Sequence, residues 1–137
     1  MHQSRTTWQQ MARYYYAKKG YAFPSSVYAS RGASTIEDFA LICEQEASVE
    51  GVDPAVLFCQ SMYETGWLQF GGDVKAEQCN FGGLGATGGG AGGATFPDVR
   101  TGLRAQTQHL KAYASFASCV NPIVDPRFDL VTRGCAP

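Results

Sequence analysis

The sequence carries little charge and almost no excess of either sign: 17% of its 137 residues are charged, and 11 Lys and Arg against 12 Asp and Glu leave a net charge of -1. The basic residues are scattered, so the electrostatic footprint of a nucleic-acid binder is missing and that class of partner is set aside. No apolar run approaches the roughly 18 to 20 residues that a membrane-spanning helix needs, and Met1 to Trp8 has neither the charged nor the apolar region of a signal peptide. Histidine is scarce, with only His2 and His109, and the five cysteines include no C-x-x-C pair. A zinc-finger ligand set is therefore absent, and neither a metal nor a cofactor is expected. An odd number of cysteines cannot pair completely within one chain, so mostly free thiols are expected, with Cys119 and Cys135 the best-placed pair for a bridge. Cys43 and Cys59 fall in apolar helical patterns, where a reduced cysteine behaves as a small buried hydrophobe.

What is present suits one compact domain with one core, since 45% of the residues are hydrophobic and 12% aromatic. Trp8, Met11, Ala12 and Tyr15 recur at helical spacing between Thr7 and Lys19, and the pattern breaks at Gly20 and Pro24. Residues 1–33 thus read as an N-terminal helix and connecting loop ahead of a core at 34–137. Ser34-Thr35 starts a second helix, whose Ile36, Phe39, Ala40, Cys43 and Ala47 draw an apolar stripe opposite Glu37, Glu44 and Glu50. Asp53-Pro54 opens a third helix, apolar on nearly every face and so expected at the centre, which Gly66 terminates. Gly82 to Gly93 holds eight glycines in twelve positions and reads as a flexible loop. Asp98 caps a last helix with Val99, Leu103, Leu110, Tyr113 and Ala114 inward and Arg100, Arg104, Gln108 and Lys111 toward water. The tail is turn-rich, with at most one short helix at Phe128 to Arg133. The fold class is mainly α, with little or no β structure.

One acid interrupts the apolar third helix. Glu64 lies near its C-terminal end beside Met62, Tyr63 and Trp67, where a carboxylate is expected to be partly desolvated. Desolvation favours the protonated carboxyl group, the form that a general acid in glycosidic bond cleavage must hold.

The run from Ala55 to Trp67, ending in Glu64-Thr65-Gly66-Trp67, resembles the signature helix of the bacterial glucosaminidase domain, glycoside hydrolase family 73. Asn80-Phe81-Gly82-Gly83-Leu84 is similar to that family's second motif, and Phe96 with Gly102 to Tyr113 resembles its following helix. Asp125-Pro126-Arg127-Phe128 and Val131 to Gly134 are similar to the closing stretch of clostridial-type members, so the likeness runs from about Gln10 to the end. It implies a lysozyme-like helical fold and a peptidoglycan hydrolase that cuts the β-1,4 bond after N-acetylglucosamine, with Glu64 as the general acid. It also implies that Tyr63, Trp67, Asn80 and Phe81 contact the sugar, through apolar ring faces and a directed amide. A second carboxylate falls to Asp73 or Glu77, or else the substrate's 2-acetamido group takes its place. The expected partners are peptidoglycan glycan strands and further domains of a larger protein, and the substrate implies an extracellular or cell-wall location.

Family members usually continue through a further helix bearing a tryptophan and a late cleft tyrosine, which have no counterpart in this sequence. That departure keeps a non-catalytic glycan-binding or scaffold domain as one alternative. A muramidase or lytic transglycosylase is another, because lysozyme-like folds host several chemistries. Two further signals are discounted. Gly83 to Gly88 spells G-x-G-x-x-G, yet no apolar strand precedes it and no helix opens after it. His109 lies on a helix that reads as structural, which argues against a serine triad.

Overall fold

A computed structural model describes residues 6–18, 20–72, 74–85, 93–125 and 128. Among them are α1 (Trp8–Ala17), α2 (Ser25–Tyr28), α3 (Ile36–Glu50), α4 (Pro54–Thr65) and α5 (Val99–Ala114), with 3-10 turns at Ala29–Arg31 and Ala76–Gln78 and no strand. The mainly α expectation holds. No helix among the described residues is long and apolar enough to cross a membrane.

Side-chain caps set most of the helix starts. Thr7 accepts from the Gln10 amide while the Gln10 side chain returns to the Thr7 amide, and Thr35, Asp53 and Asp98 accept from the amides of Asp38, Ala55 and Thr101. α3 and α4 end on Gly51 and Gly66, both left-handed, as the sequence indicates. α2 and its 3-10 extension fall in the stretch read as connecting loop, because a four-residue helix is too short to show a period.

α3 is the central helix, packed against α1, α4 and α5. The centre expected of α4 is corrected: Leu57, Phe58, Ser61, Met62 and Thr65 are buried on one side, whereas Val56, Cys59 and Tyr63 are exposed. Cys59 is thus not the buried hydrophobe that its surroundings suggested, while Cys43 is. Cys43, Cys59 and Cys79 are free thiols, and Cys135 lies outside the described residues, as do Arg133 and most of the expected tail helix. The core gathers around Phe39, whose ring meets Phe81 edge-on at 5.0 Å and Phe58 at 6.3 Å. Tyr28 closes the cluster, its ring 5.6 Å from that of Phe81 and its hydroxyl donating to the Ala76 carbonyl at 2.9 Å.

The solvent face assigned to α3 and α5 needs a second correction. Glu46 and Glu50 are buried on α3, and each meets a base from α5. Arg104 and Arg100 contact Glu46 at 2.7 and 2.8 Å, and Lys111 contacts Glu50 at 3.0 Å. Gln108 is fully buried, accepting from the Val124 amide and donating to the carbonyls of Asn121 and Pro122. Glu50 also receives the amides of Val120 and Asn121, so the segment after α5 is held mainly through its backbone. Polar residues of α5 face inward here because the groups they meet are themselves polar and buried.

Burial raises both carboxylates, but hydrogen bonds outweigh it: Arg104 and Arg100 hold Glu46, and Asn121, Val120 and Lys111 hold Glu50, below the ordinary value of 4.5. A carboxylate that titrates lower in the folded chain than in the unfolded one adds stability that is complete above the unfolded value and is lost as pH falls through the folded value. Urea titrations from neutrality downward are expected to show stability falling below about pH 4.5, with a shallower fall in Glu50→Gln than in wild type. A second expectation concerns Gly102, where an added Cβ would lie 1.8 Å from the Cys79 carbonyl oxygen. Gly→Ala inside a helix ordinarily gains up to about 1 kcal/mol; Gly102→Ala should instead lose at least about 2 kcal/mol in the same denaturation assay.

Candidate active site

Glu64 sits one residue before the end of α4, and the turn after it is backbone in an uncommon conformation. Gly66, Trp67 and Leu68 are consecutively left-handed, with φ of 58°, 61° and 66°, and Phe70 follows at 55°. Each non-glycine residue there costs on the order of 1 kcal/mol. Thr65 holds the turn: its hydroxyl donates to the Ser61 carbonyl at 2.7 Å and accepts from the Leu68 amide at 2.9 Å, while its carbonyl accepts from Gln69 and Phe70. From the other side, the Tyr15 hydroxyl of α1 donates to the Trp67 carbonyl at 3.0 Å. Burial raises the Tyr15 phenol, against a smaller lowering by Gln69, so it stays a donor.

The opposing wall is the Asn80–Gly85 turn. Asn80 is buried, and its amide joins both ends of the glycine-rich loop: Nδ2 donates to the carbonyls of Leu84 at 2.8 Å and Ala94 at 3.0 Å, and Oδ1 accepts from the Leu84 amide at 2.9 Å. This turn passes close to Glu64, since a Cβ built on Gly83 would lie 3.5 Å from Glu64 Oε2. Beneath it, Gln106 of α5 is 2% exposed. Its Nε2 donates to Gln60 Oε1 at 2.7 Å, its Oε1 accepts from Ser61 at 3.1 Å, and its side-chain carbons would be 3.1 Å from a Cβ on Gly82. One buried amide therefore touches α4, α5 and the loop at once.

The residues expected to line a sugar cleft are distributed differently. Glu64 is exposed, so the desolvation expected from its sequence neighbours is not found, and Tyr63 beside it is 85% exposed. Trp67 is half-buried in a cluster with the rings of Tyr14, Tyr15 and Tyr21, with Lys18 Nζ 5.3 Å from its ring centre, so much of its surface is already covered. Asn80 and Phe81 are both interior: the first shapes the loop and the second packs in the aromatic core, so neither presents its side chain at the surface. Glu77 is exposed on the 3-10 turn, with no hydrogen bond or ion pair to Glu64. Asp73 lies outside the described residues, as do residues 86–92 of the glycine loop.

Ser61, Thr65, Tyr15 and Gln106 are the supporting residues that sequence reasoning missed. The i, i+4 spacing of Gln60 with Glu64 and of Ser61 with Thr65 was the available signal. No group of three or more potential metal ligands occurs among the described residues. His109 pairs with Asp125 at 2.8 Å between the rings of Tyr113 and Phe128, a buried structural arrangement in line with the reading of that helix.

Comparison with known proteins adds one relative. The chain is 46% identical over 92 residues to an uncharacterized protein of Borreliella burgdorferi (strain ATCC 35210 / DSM 4680 / CIP 102532 / B31). The match covers 67% of this chain and 45% of the relative, so the chain spans less than half the length of the protein it matches. No protein-family model and no solved structure matches.

The Asn80 arrangement is directly testable. Asn80→Asp keeps the acceptor for Leu84 but removes both donors, so that the Leu84 carbonyl keeps only the Ala94 amide and the Ala94 carbonyl only Gln78 Nε2. A loss of about 1 to 3 kcal/mol is expected, together with faster amide hydrogen exchange at Leu84. Unchanged protection at Leu84 would mean that the loop is held by other contacts.

Proposed function

We propose that the protein is a peptidoglycan hydrolase of the glucosaminidase type with a lysozyme-like fold, cutting the β-1,4 bond after N-acetylglucosamine. The observation that carries this reading is the position of Glu64: a carboxylate at the end of a packed helix, beside a glycine backbone wall, and open to solvent. Such a wall has no side chains to obstruct a sugar ring, and its backbone groups offer hydrogen bonds to a polar ligand. The match of Ala55 to Trp67 and of Asn80 to Leu84 to the glucosaminidase motifs supports the same assignment.

On this reading the glycan lies between the end of α4 and the Gly82–Gly83 turn. Binding excludes water from Glu64, which favours the neutral carboxyl group that donates a proton to the leaving oxygen. As the glycosidic bond breaks, water attacks the anomeric carbon with Asp73 or Glu77 as base, or the 2-acetamido oxygen attacks first and water opens the resulting ring. Tyr63 is the exposed aromatic nearest in sequence for stacking on a sugar face. Trp67, Asn80 and Phe81 act from behind, setting the turn and the loop between which Glu64 stands. The substrate puts the protein at the cell wall or outside the cell.

Glu64→Gln should lower turnover of purified peptidoglycan by about 10² to 10⁴ without loss of thermal stability. Mass spectrometry of the soluble products should find reducing-end N-acetylglucosamine from wild type. Wild-type rates in the variant would overturn the role of Glu64. Reducing or anhydro N-acetylmuramic acid would move the protein to the muramidases or lytic transglycosylases, and sedimentation with the polymer without products would make it a glycan-binding domain.

A further inference from the structure

A sizeable cavity lies away from Glu64. It is a cleft of about 540 Å³ between the 3-10 turn at 29–31, the outer face of α3 and the start of α5. Arg31 stands on one wall, Asp38, Leu41 and Gln45 line α3, and Asp98 and Arg100 line α5. The volume is in the range of small-ligand sites.

The charges around this cleft are not paired with one another. Arg100 is already committed, with one nitrogen on Glu46 at 2.8 Å and the other on Gln45 at 2.7 Å. Arg31 is half-buried, donates to the Val27 carbonyl at 2.6 Å and forms no ion pair among the described residues. Asp38 accepts the Ser34 amide on one oxygen and Asp98 accepts the Thr101 amide on one oxygen. The second oxygen of each has no hydrogen-bond partner among the described residues. A partly desolvated guanidinium without a counter-ion is costly, and a cation facing the same space as two half-used carboxylates asks for a ligand that carries both signs. Beside Arg31 the chain turns at Gly32, with φ of +98° and no atom within 4 Å of where a Cβ would sit, which leaves the mouth open.

We infer that this cleft binds a short peptide through two opposite charges, a terminal carboxylate on the Arg31 fork and a side-chain amino group between Asp38 and Asp98. Arg31 offers the planar, bidentate donor geometry suited to a carboxylate. The two aspartates accept from an ammonium and repel polyanions such as nucleic acid, while Arg31 disfavours polycations. Leu41 supplies apolar surface for the part of the peptide between the two charges. The choice of source rests on the hydrolase reading: wall glycan carries short peptides joined to the sugar through their N-termini, which leaves a C-terminal carboxylate and a side-chain amino group free, so the cleft would grip the peptide branch of the polymer whose glycan Glu64 cuts.

The test is a titration of the full chain, followed by amide NMR shifts, with one linear tetrapeptide of wall composition, N-acetylated throughout in place of its link to the sugar, in four forms: otherwise free, acetylated on the side-chain amine, C-amidated and blocked at both groups. The free form should bind, each single block should weaken binding about tenfold or more, and the double block should abolish it. Asp38→Asn and Asp98→Asn keep their acceptors for the backbone amides and should remove the penalty of side-chain acetylation, whereas Arg31→Met should remove that of C-amidation. Glu64→Gln should bind all four as wild type does. Equal binding of the four forms, shifts outside the cleft, or no binding of the free form would each overturn the inference. Because no form of the experiment involves cleavage, it can fail while Glu64 proves catalytic, and it can succeed while Glu64 does not.

Discussion

The approach of α5 to the Cys79 carbonyl is the contact on which the rest depends. Gly102 allows a helix to touch backbone with no side chain between them, and that contact fixes where the chain can leave Cys79. The four residues that follow, Asn80 to Gly83, therefore emerge against Gln106 on one side and Glu64 on the other. Burial pushes the Cys79 thiol up to about 11, with Arg31 opposing and Asp98 adding to the shift, so it behaves as an inert packing group at this junction. A bulkier residue at 102 would move α5 outward and take with it the amide that spans α4, α5 and the loop.

A second constraint is local strain. Three consecutive left-handed residues are uncommon outside glycine, and here they follow directly on the helix that carries Glu64. Their cost is offset by hydrogen bonds that turn amides donate to Thr65 and Met62, by the bond that Tyr15 donates to Trp67, and by burial of Leu68. The result is an abrupt stop: α4 cannot continue past Thr65, and the acid stands at a fixed end instead of along a frayed turn. The buried pairs of Glu46 and Glu50 with α5 have a complementary role, aligning the two helices by hydrogen bonds that apolar packing alone would not specify.

Much of the helical architecture was legible in the sequence because it is written in local chemistry. Thr7, Thr35, Asp53 and Asp98 mark starts, and Gly51 and Gly66 mark ends, through interactions that reach only a few residues. The sidedness of polar residues was not legible. Whether Glu50 or Gln108 faces water depends on what stands opposite, and that partner is 50 or more residues from Glu50 and a non-helical segment for Gln108. The site shows the same division. Glu64 stood out as a lone acid in an apolar run, but its exposure is set by the left-handed turn that follows, which no spacing rule foretold at Trp67 and Leu68. Asn80 and Phe81 were expected at the surface and lie inside, because a motif does not separate residues that touch a ligand from those that shape the wall.

The bond from Tyr15 to the Trp67 carbonyl has a consequence for how this domain is divided. Tyr14, Tyr15, Lys18 and Tyr21 enclose the indole, so the opening segment acts as a brace for the turn behind the acid and not as a detachable appendage. A proteolytic nick near residue 20 would leave most helices intact and still release the strained turn from one of its supports. Loss of that brace would show first as altered tryptophan fluorescence, well before the helices melt.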